Sequence, residues 1–90
     1  MRAIIGLGNP GDFYAGSRHN VGFMVLDALQ DLFKAPGWTH RYKARITSTF
    51  LLNTQMILAK PQTFMNKSGD GAKAILKAYG IGPENMLLIY

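Results

Sequence analysis

Asn9-Pro10-Gly11, Tyr14 with Arg18-His19-Asn20, and Lys60-Pro61-Gln62-Thr63-Phe64-Met65-Asn66 hold most of the side chains that could act on a substrate. Together they supply one imidazole, several carboxamides, a phenol and two cations. Imidazole changes charge nearest neutral pH, which makes His19 the natural candidate for a general base. A lone histidine near a helix start is more often a satisfied polar residue, so the case for His19 rests on the carboxamides that converge with it. The other nucleophiles and bases are weaker. Ser17 lacks the G-x-S-x-G elbow that exposes a serine nucleophile, Ser68 fits a helix cap, and His40 lies in a polar linker beside Trp38 and Arg41, on the surface.

Convergence depends on the elements that carry these stretches. Residues 2–7 read as a buried strand running into a glycine-rich loop. From Val21, apolar residues recur at 21, 24, 25, 28, 29 and 32, which is the spacing of one helix face. Asn20 is the expected cap of that helix, and Pro36-Gly37 end it. Residues 44–52 and 55–60 read as two strands of a hairpin joined at Asn53-Thr54 and closed by Pro61. A second helix begins near Ser68 with Asp70 in its first turn. Its inner face is Ala72, Ile75, Leu76 and Tyr79, and Gly80 with Pro83 stop it. Residues 86–90 read as a further buried strand. The order β-α-β-β-α-β predicts an α/β domain with a mixed β-sheet flanked by helices. Each polar stretch then falls at a strand's carboxyl end or a helix's start, where function sits in such sheets.

Glycines 6, 8 and 11 spell G-x-G-x-x-G, a pattern that can cradle a dinucleotide. The surrounding sequence opposes that use. Pro10 removes an amide inside the motif, helical periodicity starts only near Val21, and no acidic residue ends a second strand at the required distance. Asn9-Pro10-Gly11 is better read as a rigid turn that holds an asparagine at the end of the first strand.

Ten Lys and Arg against five Asp and Glu give a formal charge of +5. That excess suits a polyanion such as nucleic acid, and a merely solvated basic surface is the other reading. Lys73 and Lys77 stand one helical turn apart, away from the apolar stripe. With Arg18, Lys60 and Lys67 they are the candidate phosphate contacts, and Arg41, Lys43 and Arg45 form a second cluster. The chain has no cysteine, which excludes disulfides, thiolate metal sites and a cysteine nucleophile. No signal peptide or long apolar span is visible, so a cytoplasmic domain without membrane contact is expected. An apolar strand that stops at Tyr90 without a cap or polar tail leads us to expect residues 1–90 to be the front part of a longer, single domain.

Gly6-Leu7-Gly8-Asn9-Pro10-Gly11, Tyr14, Arg18-His19-Asn20-Val21-Gly22 and Lys60-Pro61-Gln62-Thr63-Phe64-Met65-Asn66-Lys67-Ser68-Gly69 together resemble the bacterial-type peptidyl-tRNA hydrolases. The resemblance runs the length of the chain in order, spacing and residue type. It implies hydrolysis of the ester joining a peptide to the 3′ end of tRNA, with peptidyl-tRNA as partner and no cofactor or metal. It further implies that His19 activates water, that Asn9 contacts the peptide beside the ester, and that Tyr14, Phe64, Asn66 and Asn20 bind the tRNA end or scissile group, with Met65 walling the cleft. The residue types suit those tasks. The Asn66 carboxamide could donate to a developing oxyanion, worth about 3 kcal/mol where well placed. Tyr14 and Phe64 offer faces for a base, worth about 1–3 kcal/mol. For Phe64 and Met65 ordinary core packing is the competing reading. The family's acidic segment, with an aspartate that orients the histidine, and a later asparagine have no counterpart before residue 90. The resemblance therefore implies that this piece alone is nearly inactive, or is an RNA-binding fragment without catalysis. The complete protein is expected to be monomeric, and the piece to self-associate through its last strand.

Overall fold

The computed structural model describes residues 1–8, 20–62 and 68–89. Its elements are β1 (Arg2–Gly6), α1 (Val21–Leu32), β2 (Thr39–Arg41), β3 (Ala44–Leu51), β4 (Thr54–Pro61), α2 (Ser68–Tyr79), a 3₁₀ turn at Pro83–Asn85, and β5 (Met86–Ile89). The strands form one sheet in the order β2-β3-β4-β1-β5. β1 lies between β4 and β5 and is parallel to both, with Ala3 opposite Ile57 and Met86. β3 pairs antiparallel with β4, and β2 antiparallel with β3. The sheet is therefore mixed, and the α/β class expected from the sequence holds.

Alternation along the central strands sends side chains to both faces, and each face buries them against one helix. Ala3, Ile5, Ile57 and Ala59 pack with Ala72 and Ile75 of α2. Ile4, Met56, Leu58 and Ile89 pack instead with Leu26 and Leu29 of α1. The α2 face expected from periodicity is the face observed, with Leu76 and Tyr79 half-buried beside it. This helix ends as its sequence dictates. Gly80 takes a positive φ of 66°, the Ile81 amide donates to the Leu76 carbonyl at 2.9 Å, and Ile81 folds back onto the core. No described helix is long and apolar enough to cross a membrane.

The structure corrects the sequence reading in four places. β2 was not expected, because Thr39, His40 and Arg41 are all exposed and show no apolar alternation. Pairing with β3 creates the strand, so His40 belongs to an exposed strand rather than a linker. The β3–β4 turn falls at Leu52-Asn53, one residue before the expected joint, and the β2–β3 turn falls at Tyr42-Lys43. All four residues have positive φ, between 49° and 67°, as a two-residue turn matched to strand twist requires. Only Asn53 belongs to the residue types that announce such a turn. α1 also stops at Leu32, before Pro36, and is rotated so that Leu29 of the expected stripe packs on the core while most of the others turn outward. Val21, Met24 and Leu32 are exposed, while Gly22 and Leu26 are buried. Finally, Asn20 stands at the N-cap position without a side-chain cap hydrogen bond.

Candidate active site

The carboxyl ends of β1 and β4 lie side by side, because the two strands are parallel neighbours. The helices that follow them pack on opposite faces, so a crevice must open between those ends. α1 begins at this edge. Its first turn is drawn onto β1 and β5 by glycine rather than by large apolar residues. A Cβ on Gly22 would overlap the Leu7 backbone and come within 2.6 Å of the Ile89 carbonyl oxygen. A Cβ on Gly6 would in turn overlap the Gly22 carbonyl and the Leu26 side chain. On Gly8 it would lie 2.6 Å from Asn20 Oδ1 and 2.9 Å from the Phe23 ring. Gly6 and Gly8, the start of the apparent dinucleotide pattern, thus serve helix–strand packing. The Leu7 amide donates to the Ile89 carbonyl at 2.8 Å and ties β5 to the same point.

β4 delivers the other side of the crevice. Its alternation turns Ile57, Ala59 and Pro61 toward α2, and Met56, Leu58 and Lys60 toward α1. Lys60 is only 8% exposed. Its ammonium donates to Asp27 Oδ1 at 2.5 Å and sits 4.3 Å from the centroid of the Trp38 ring and 5.9 Å from that of Phe23. It is directed inward and is not displayed with the exposed cations, as its place among the phosphate contacts had assumed. Gln62 is held just past the strand. Its amide donates to the Lys43 carbonyl at 2.8 Å, and its Nε2 to the Lys60 carbonyl at 3.1 Å.

Of the residues singled out in the sequence, Asn20 is buried at the start of α1, against Gly8. Lys73 and Lys77 are exposed on α2, as are Arg41, Lys43 and Arg45 around the β2–β3 turn. Tyr42 of that turn meets Tyr79 of α2 edge to face at 5.7 Å, so sequence-distant basic clusters border one aromatic contact. Asn9, Tyr14, Ser17, Arg18, His19, Phe64, Met65, Asn66 and Lys67 lie outside the described residues, as does the side chain of Ser68. Their neighbours in the sequence are described: Gly8 before Asn9, Asn20 after His19, and Gln62 before Thr63. Sequence reasoning missed Phe23, Asp27 and Trp38. No motif marks them, and only the one-turn spacing of Phe23 and Asp27 on α1 hints at a shared face. Among the described residues no group of three His, Cys, Asp or Glu could hold a metal ion.

These features define a mixed-sheet α/β protein whose candidate functional edge is the switch point between β1 and β4. The family model for peptidyl-tRNA hydrolase matches residues 3–90, and the chain belongs to that family. The peptidyl-tRNA hydrolase of Allorhizobium ampelinum is 46% identical over 90 residues, which are all of this chain and 38% of that protein. That of Desulforamulus reducens is 43% identical over 89 residues, 99% of this chain and 43% of its own length. A crystal structure of peptidyl-tRNA hydrolase from Acinetobacter baumannii superposes with a TM-score of 0.90 at 32% identity, over 98% of this chain and 45% of that one. A peptidyl-tRNA hydrolase in complex with N-propanol gives the same TM-score at 34% identity. The chain thus spans less than half the length of the relatives it matches.

Proposed function

We propose that these 90 residues are the N-terminal part of one domain that hydrolyses the ester between a peptide, or an N-blocked amino acid, and tRNA. What supports this most directly is the meeting of three elements at one sheet edge within a family match that covers residues 3–90. β1 leads into Asn9, α1 follows His19, and β4 leads into Phe64-Met65-Asn66. In this reading His19 takes a proton from water as the water attacks the ester carbonyl, and the ribose oxygen of tRNA leaves with the electron pair of the broken bond. Asn66 donates to the oxyanion, and Asn9 reads the blocked amino group. Tyr14, Phe64 and Asn20 hold the tRNA end, and Met65 lines the peptide side. Arg18, Lys67, Lys73 and Lys77 meet phosphates.

The full-length gene product should hydrolyse N-acetyl-aminoacyl-tRNA, and His19→Ala should lower kcat by roughly 10²- to 10⁴-fold, the usual worth of a general base, with little change in tRNA affinity. Retention of normal turnover would assign the base elsewhere. A second reading is favoured by one observation, the coverage of less than half of each relative. The 90 residues alone, without an acidic partner for His19, would then bind RNA and release it unchanged. Assaying binding and hydrolysis on both lengths separates the two.

A further inference from the structure

We infer that Lys60, paired with Asp27, is a positioning residue that sets the end of β4 against the start of α1; the inference rests on the hydrolase reading above. The groups that reading calls on are divided between these elements. His19 and Asn20 immediately precede α1, whereas Phe64 and Asn66 follow β4 by a few residues. Their separation therefore depends on how α1 sits relative to β4.

The glycine contacts fix the rotation of α1 from one side only. Gly22 and Gly8 dock the first turn of α1 on β1 and β5, on the far side of the crevice from β4. Leu26 and Leu58 fill the space lower down, and apolar contact tolerates sliding and rotation. Among the described residues, Lys60 Nζ donating to Asp27 Oδ1 provides a polar link between α1 and the end of β4, one turn along from Phe23. The Phe23 ring also lies over Gly8, so one line of contact runs from β4 through Lys60 and Phe23 to the end of β1.

Stability does not account for a lysine here. Taking an ammonium out of water is costly, and apolar residues of similar volume often replace buried ion pairs without loss. A methionine would fill the space under Trp38 equally well. What an ammonium adds is direction: it must sit at 2.5 Å from one carboxylate oxygen while staying on the face of one indole. The pair is also lopsided. The Lys60 side chain is 10% exposed and that of Asp27 56%, so the carboxylate reaches in from the surface to meet a cation directed inward.

Kinetics of N-acetyl-aminoacyl-tRNA hydrolysis by the full-length gene product test this, with Lys60→Met, Asp27→Asn and Lys60→Arg. Both Lys60→Met and Asp27→Asn should lower kcat roughly 10- to 100-fold, the scale of a misplacement near 1 Å, with KM within about threefold. Lys60→Arg keeps the charge and the ring contact and should recover most of the rate. A phosphate contact gives the opposite pattern. Lys60→Met would then raise KM, spare kcat and make the salt dependence shallower by about one ion, while Asp27→Asn would free the ammonium and lower KM. That pattern overturns the inference. Asp27→Asn is nearly isosteric at a half-exposed site, so it remains informative if Lys60→Met fails to fold. Amide spectra supply a readout independent of turnover. Each substitution should move resonances both at residues 20–23 and at Gln62. Shifts confined to the substituted residue's own element would refute the coupling, whereas absence of hydrolysis in the unsubstituted protein would refute only the hydrolase reading.

Discussion

A single carboxamide can sort substrates only by a hydrogen bond that one of them makes and the other does not. Asn9 directly follows Gly8 in the sequence, and Gly8 packs at the end of β1 against Asn20 and Phe23. If Asn9 bonds the peptide beside the ester, Asn9→Ala should cut hydrolysis of N-blocked aminoacyl-tRNA and leave the slower reaction of the free-amino form nearly unchanged. A net hydrogen bond is worth about 0.5–1.5 kcal/mol, so the ratio of the two kcat/KM values should narrow by roughly three- to tenfold. Equal loss on both substrates would reduce Asn9 to a turn residue. At this scale the sequence offers candidates where a motif joins rare residue types at short range, as in Arg18-His19-Asn20. It was uninformative for Asp27 and Trp38, which reach Lys60 only because α1 and the loop after it fold over β4.

α1 shows how an element can form as its pattern demands and still turn another face to the sheet. Its apolar spacing favours the stripe through Val21, Met24 and Leu32, yet these are 42%, 53% and 71% exposed. Backbone contact at Gly22 decides the rotation, since only a residue without a Cβ allows the helix to approach Leu7 and Ile89 so closely. Gly22→Ala sets two effects against each other. Alanine improves helix propensity by about 1 kcal/mol. The new methyl meets backbone atoms of two strands, which cannot rotate away, and such overpacking costs about 1–3 kcal/mol or more. The clash should win, and urea denaturation should show a lower midpoint for the variant; an unchanged or higher midpoint would mean that α1 is held elsewhere. α2 was legible because its stripe, its Gly80 stop and its packing agree. β2 was not, since pairing alone makes it a strand, and its turn uses Tyr42 and Lys43 at positive φ where asparagine or glycine would have announced it.

On the scale of the whole molecule the sheet has two unlike edges. β2 is short, polar and exposed, the kind of edge that discourages further pairing. β5 is Met86-Leu87-Leu88-Ile89, bonded to β1 on its inner side, with Leu87 58% exposed. No described strand pairs with its outer side, and an apolar edge strand is a template for another strand. The relatives are more than twice as long as this chain, so a cover for this edge would come from sequence outside residues 1–90. The isolated 90 residues should therefore associate reversibly through β5, with sedimentation showing a mean mass that rises with concentration. Leu87→Lys should suppress that rise without unfolding the protein, because a charge on an exposed edge position blocks edge-to-edge pairing while the inner ladder with β1 is untouched. A form extended to the length of the relatives should sediment as a monomer and unfold at a higher temperature than the 90-residue chain. A 90-residue chain that stays monomeric at high concentration and unfolds at the same temperature as the longer form would show that the β5 edge needs no cover.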